Sequence, residues 1–153
     1  MSSFSFLESG LGLTIVVFLP LVSAIFIFLI PKKQEMLIKL VTLGSALLTF
    51  GVSLIVALQF DFNNAGDLQL GTKVSWISSI NSNYEIGIDG ISLPLLLLST
   101  FISVLAIIYS FEHLPEPKNA KGMMSLILIL ETGMNGTFVA LDLILFFVFF
   151  ELV

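Results

Sequence analysis

Three acidic side chains stand in the most apolar part of this sequence, and their spacing invites chemistry. Glu131 lies inside the run Gly122 to Leu141, Asp142 closes a tight Ala140-Leu141-Asp142 turn, and Glu151 ends the Phe-rich run that follows. A charged side chain at the centre of a bilayer costs at least about 2.5 kcal/mol, so each is a functional candidate by default. A desolvated carboxyl takes up or releases a proton as a cation withdraws or approaches. That is the chemistry of a proton relay.

Depth separates the three. A helix starting near Leu143 puts Glu151 nine residues past Asp142, about 13 Å in at ~1.5 Å per residue. Glu131 precedes Asp142 by eleven residues, or about 16 Å from the same surface on an antiparallel neighbour. The two glutamates therefore read as lying at similar depth on adjacent helices. Asn135, at i+4 from Glu131, shares its helix face and is a candidate hydrogen-bond partner. Bland readings stand beside these. Glu151 could be a helix lock or sit harmlessly in a disordered end, and Glu131 a protonated residue bonded to a neighbouring helix. Asp142 reads as the N-cap of a fifth helix, structural in role. His113, in a polar loop, reads as solvated.

The elements that carry these residues follow from composition. Of 153 residues, 57% are hydrophobic and 11% charged, against about 45–50% and ~25% in soluble domains. With a mean hydropathy of +1.09, the chain reads as an integral membrane protein in a lipid bilayer. Its net charge of -5 sits mostly in short loops and bears on topology. Arg is absent and the lysines form no basic patch, which argues against nucleic acid as a partner. Without cysteine, disulfides, thiolate metal sites and iron–sulfur ligation are excluded. No cofactor bound by this chain is expected.

Spanning the membrane takes ~20 largely apolar residues. Charge-poor runs at about 11–30, 38–60, 91–111 and 122–141 meet that need, and a fifth starts at 143 and runs to 153. The polar lead Met1 to Gly10 has one charge, Glu8. The first run is too long for a signal peptide, lacks a basic lead and contains Pro20. In the second, Lys39 is placed to snorkel, while Gly44, Ser45, Gly51 and Ser53 are small enough for close helix approach. Eleven residues of the fifth run cover only ~16 Å, so the sequence reads as the amino-terminal part of a larger membrane domain. The fold class expected is all-α, a polytopic transmembrane helical bundle of four complete spans plus the start of a fifth. Alternation about Asn81-Ser82-Asn83 predicts a small hairpin within the loop 61–90, with Asp89 near the cap of the third helix. Trp76, Tyr84 and Tyr109 fall where interfacial aromatics are expected. Lys32, Lys33 and Lys39 follow the first span, and Lys118 and Lys121 the third. The positive-inside rule puts those loops on the cytoplasmic side and the amino terminus on the opposite one.

Two stretches also resemble a known family. Tyr84-Glu85-Ile86-Gly87-Ile88-Asp89-Gly90-Ile91-Ser92-Leu93 resembles the lead into the third helix of antiporter-like proton-translocating subunits. Glu131-Thr132-Gly133-Met134-Asn135-Gly136-Thr137-Phe138, with Leu141 to Glu151, resembles chain 4 of NADH–quinone oxidoreductase, the respiratory complex I family and its photosynthetic relative. The resemblance implies a large helical subunit of inverted repeats with broken helices. It implies that Glu151 is the fifth-helix proton-relay carboxylate, partnered by a lysine on a later helix; Glu131 is a candidate second relay carboxylate on its depth alone. Quinone and NAD(P)H or ferredoxin would be used elsewhere in the complex, whose adjacent antiporter-like membrane subunits would be the partners. The membrane would be a bacterial plasma membrane, a thylakoid or the mitochondrial inner membrane. Two other readings remain: a subunit of a multi-subunit cation/proton antiporter, or a structural assembly subunit whose glutamates lock helices.

Overall fold

The computed structural model describes residues 10–114 and 119–153. The expectations resting on Glu8 and Lys118 lie outside the described residues. The order is α1 (Leu11–Leu29), α2 (Glu35–Gln59), β1 (Gln69–Ile77), β2 (Ser82–Ile88), α3 (Ser92–Ser110), α4 (Ala120–Val139) and α5 (Leu143–Phe150). Four helices of 19 to 25 residues cover about 28–38 Å at ~1.5 Å per residue, enough for a hydrocarbon core of ~30 Å. The all-helical membrane bundle expected from the sequence is what forms. Helix α5 runs to Phe150, and Glu151 follows as its C-cap, still in helical conformation with its N–H bonded to Phe147 O at 3.0 Å.

The four long helices run alternately up and down, and their faces are sorted by size. On α2 the buried positions are Ile38, Thr42, Ser45, Ala46, Thr49, Ser53 and Val56, whereas Leu40, Leu47, Leu48, Leu54 and Leu58 are exposed. Lipid tails are as apolar as leucine, so large side chains gain little by turning inward. Small and hydroxyl residues let backbones approach and hydrogen-bond. The buried hydroxyls mostly bond back to their own helix: Thr42 to Ile38 O at 2.8 Å, Thr49 to Ser45 O at 3.0 Å and Ser110 to Ala106 O at 2.7 Å.

The predicted hairpin is present, longer than the sequence suggested. Its antiparallel pairing runs from Gln69↔Ile88 to Ile77↔Ser82, with an irregularity between Gln69 and Thr72 where Leu70 takes a φ of 52°. Asn81 turns the chain at a φ of 53°, a left-handed conformation asparagine tolerates. Asp89 caps the start of α3 as expected, accepting from Ser92 N–H at 2.7 Å and Ile91 N–H at 3.0 Å. The hairpin lies at the end of the bundle that also holds Gly10 and the α4–α5 turn. A Cβ on Gly10, at φ 72°, would overlap Thr72.

Lysines gather at the opposite end. Lys39 does not simply snorkel: its Nζ donates to Phe111 O at 2.6 Å, closing the end of α3. Lys121 Nζ donates to Phe28 O and Ile30 O, both at 2.8 Å, closing the end of α1. Cations at helix C-termini satisfy orphan carbonyls and favour the negative end of the dipole.

Helices α4 and α5 approach through glycine. A side chain at Gly136 would overlap the ring of the buried Phe149, while nothing lies within 4 Å of a side chain at Gly44. Gly136→Val should therefore destabilise the protein by about 1–3 kcal/mol, the usual cost of overpacking. Gly44→Ala should be close to neutral. Thermal unfolding of the detergent-solubilised protein compares the two, and equal melting of both variants would contradict this packing.

Candidate functional site

Two apolar clusters fill the bundle, one at each end. Leu13, Val16, Val17, Val56, Phe60, Leu93, Leu96, Val139, Leu145 and Phe149 pack under the hairpin with Ile86 and Ile88. Ala24, Ile27, Ile38, Ala46, Val104, Ile107, Met124 and Leu128 pack toward the lysine-bearing end. Between them, at mid-depth, lie Thr49 and Ser53 of α2, Ser99, Thr100 and Ser103 of α3, and Glu131, Thr132 and Asn135 of α4, all buried. A polar layer therefore crosses the middle of an apolar bundle.

Its centre follows from Pro20. Proline has no N–H, so in mid-helix it leaves the carbonyl four residues earlier without its usual donor. That carbonyl is Val16 O, and Asn135 Nδ2 donates to it at 3.2 Å. The amide oxygen of Asn135 accepts from Ser99 Oγ at 2.9 Å. One fully buried amide thus joins α1, α3 and α4. Nearby, Ser53 and Thr100 share a hydrogen bond of 3.1 Å between α2 and α3. The expected Asn135–Glu131 pair is not present; the amide instead donates to the Val16 carbonyl and accepts from the Ser99 hydroxyl.

Glu131 is fully buried, and neither of its carboxyl oxygens has a hydrogen-bond partner. It shares a helix face with Leu128 and Asn135, so it points into the bundle between the apolar cluster and the amide bridge. A hydrogen-bonded lock to a neighbouring helix is therefore not what the structure contains.

Glu151 is placed otherwise. It is exposed at the end of α5, and its backbone N–H donates to Phe147 O at 3.0 Å. Antiparallel packing brings the end of α5 beside Gly133, so the two glutamates do share a level, as their spacing predicted. The structure does not bring them together, since one faces the interior and the other the exterior. Among the described residues, no three His, Cys, Asp or Glu side chains cluster as metal ligands would. His113 is exposed, its ring stacked on Tyr109 at 4.2 Å.

Asp142 caps α5 as predicted, with Oδ1 accepting from Ile144 N–H at 2.9 Å and Leu145 N–H at 3.1 Å. It also does something the local sequence does not signal. Ser82 Oγ donates to Oδ1 at 3.0 Å and Asn83 N–H to Oδ2 at 3.0 Å, so the carboxylate holds the hairpin tip to the start of α5. Leu141 N–H adds a bond to Glu85 O at 2.9 Å. The N–H of Asn83, then those of Leu145, the Ser82 hydroxyl and Ile144 N–H, hold the Asp142 carboxyl below the usual carboxylate range.

Residues 14–137 match the family described as NADH-ubiquinone oxidoreductase chain 4, amino terminus. The chain is 38% identical to the chloroplastic NAD(P)H-quinone oxidoreductase chain 4 of Mesostigma viride, over 92% of this chain and 27% of that protein. It is 35% identical to NADH-ubiquinone oxidoreductase chain 4 of Marchantia polymorpha, over 88% of this chain and 27% of the relative. Identity is also 35% to F(420)H(2) dehydrogenase subunit M of Methanosarcina mazei, over 91% and 27%. The chain thus spans about a quarter of the length of these relatives.

The Asp142 clamp sets a pH dependence. A carboxyl whose folded pKa lies below its unfolded value stabilises the fold above that unfolded value, ~3.9 for Asp. The stabilisation fades as pH falls through the lowered folded value. Thermal unfolding against pH should show an acid-side loss in the wild type that is smaller in Asp142→Ala, which should melt lower near neutrality. Identical pH profiles would refute the clamp.

Proposed function

Because the chain belongs to the family of NADH-ubiquinone oxidoreductase chain 4, amino terminus, we propose that it acts within a proton-translocating membrane subunit of an NAD(P)H- or ferredoxin-quinone oxidoreductase. One observation carries this reading: the similarity covers about nine-tenths of the chain in relatives whose names give different electron donors. What those relatives share with this chain is then a part that does not handle the donor. A bundle of four apolar spans fits that part. The chain contributes no redox centre of its own, and is an enzyme only as a subunit of the complex. It forms the amino-terminal region of a larger membrane domain, in contact with adjacent antiporter-like subunits.

Within that subunit Glu151 is the proton-relay carboxylate. Its support is its position at the end of α5, nine residues past the Asp142 cap and beside the stretch of α4 that carries Glu131. The lysine-bearing end of the bundle faces the cytoplasm, stroma or matrix, in keeping with the positive-inside rule. The hairpin and the amino terminus face the opposite side of a bacterial plasma membrane, a thylakoid or the mitochondrial inner membrane.

Glu151→Gln in the full-length protein, assembled in its complex, tests the reading. Proton pumping should fall by roughly a hundredfold, the lower end of what positioned acid–base groups contribute, with assembly intact. Undiminished pumping, or a defect confined to assembly, would sink it.

A further inference from the structure

The polar layer contains one group that the relay at Glu151 leaves unused. Glu131 is the one ionisable residue at mid-depth in the four long helices, and it has no partner. An unpaired charge in such a place is very costly, so the carboxyl must be neutralised by a cation or by a proton. The neighbouring elements supply no cation among the described residues. Helix α1 carries no ionisable side chain. Helix α2 carries Glu35 and Lys39, and that lysine is engaged by the Phe111 carbonyl. Helix α3 offers Tyr109, exposed near its far end, and α5 offers Glu151 at its cap. Lys121, on α4 itself, is held by Phe28 and Ile30. On β2, Tyr84 bonds Thr14 at 3.0 Å and Glu85 pairs with Lys73 at 2.8 Å. The proton remains.

The surroundings of Glu131 differ on its two sides. Toward the hairpin, one turn away, Asn135 bridges Ser99 and Val16, and beyond it lie an apolar cluster and the Gln59 amide, whose Oε1 and Nε2 are buried without partners. Two further buried hydroxyls lack partners: Ser125 Oγ on α4, toward the lysine-bearing end, and Ser45 Oγ on α2. Ser125 stands six residues before Glu131, about 9 Å along the axis. Ser45 lies ten residues into α2 and Glu131 eleven into α4, two helices that run the same way, so the two residues are nearly level. Unsatisfied hydroxyls and a carboxyl are the partners that buried water requires. Met124 and Leu128 fill the space along α4 between Ser125 and Glu131, so passage needs those side chains to move.

From this geometry we infer that Glu131 is a second exchangeable-proton site, loaded through water held at the unpartnered Ser45 and Ser125 hydroxyls. The inference rests on the proton-translocating reading, and adds a carboxyl inside the four-helix bundle to the one at its edge.

Infrared difference spectroscopy on the intact complex tests it. The wild type should have a protonated-carboxyl C=O band that shifts in D2O and is lost in Glu131→Gln, with pumping reduced roughly tenfold or more. Glu131→Asp should keep a shifted band and part of the rate. If Glu131→Gln does not assemble, the exchange of the band in the wild type and its displacement in Glu131→Asp decide the matter. The absence of any such band, or full pumping in assembled Glu131→Gln, overturns the second site. Collapse of pumping in Glu151→Gln with full pumping in Glu131→Gln would remove this site and leave the Glu151 relay standing. Full pumping in both would remove both.

Discussion

The bond from Asn135 Nδ2 to the Val16 carbonyl is the contact on which the helix arrangement turns. In lipid, a backbone group without a partner costs several kcal/mol, and no water stands ready to replace one. Pro20 creates such a group in the middle of α1. The bundle answers it with a side chain from α4 whose other end is taken by α3. Replacing the proline alone would return a helical donor to the Val16 carbonyl and make the amide's bond to it less needed, and replacing the asparagine alone would strand a carbonyl and a hydroxyl. The residues make sense as a set. Their mutual satisfaction fixes the relative height of three helices at mid-membrane, where apolar packing by itself prefers no particular height.

A second constraint acts at the hairpin end. Asp142 receives four donors, two from the start of α5 and two from the hairpin tip. A carboxylate at a helix N-terminus is ordinarily a local device. Here the spare lone pairs reach a segment some sixty residues away in sequence. The direction in which α5 leaves the bundle, and hence the placement of Glu151, depends on a loop that crosses no membrane.

Much of this was legible in the residues. Uninterrupted apolar runs located the spans, since no charge could be hidden in them cheaply. Asp142 between two such runs could hardly be other than a cap, and Asn81-Ser82-Asn83 between alternating stretches marked the hairpin turn. What escaped were contacts between positions remote in sequence. Asn135 at i+4 from Glu131 suggested a local pair, and the amide instead served a carbonyl on another helix that only Pro20 had freed. The signal was available: a mid-span proline implies an orphan carbonyl four residues earlier, and a buried asparagine elsewhere is a ready donor.

The lysines at the far end serve at two separate times. During insertion, a lysine beside an apolar segment biases which side of the bilayer the loop stays on, before any tertiary contact exists. After folding, Lys39 and Lys121 close the last carbonyls of α3 and α1. Biogenesis and the finished architecture thus draw on the same two side chains. An otherwise mild change at either position carries a double liability, weakening the topological signal and uncapping a helix together. That shared dependence narrows the substitutions a chain with six basic residues can accept.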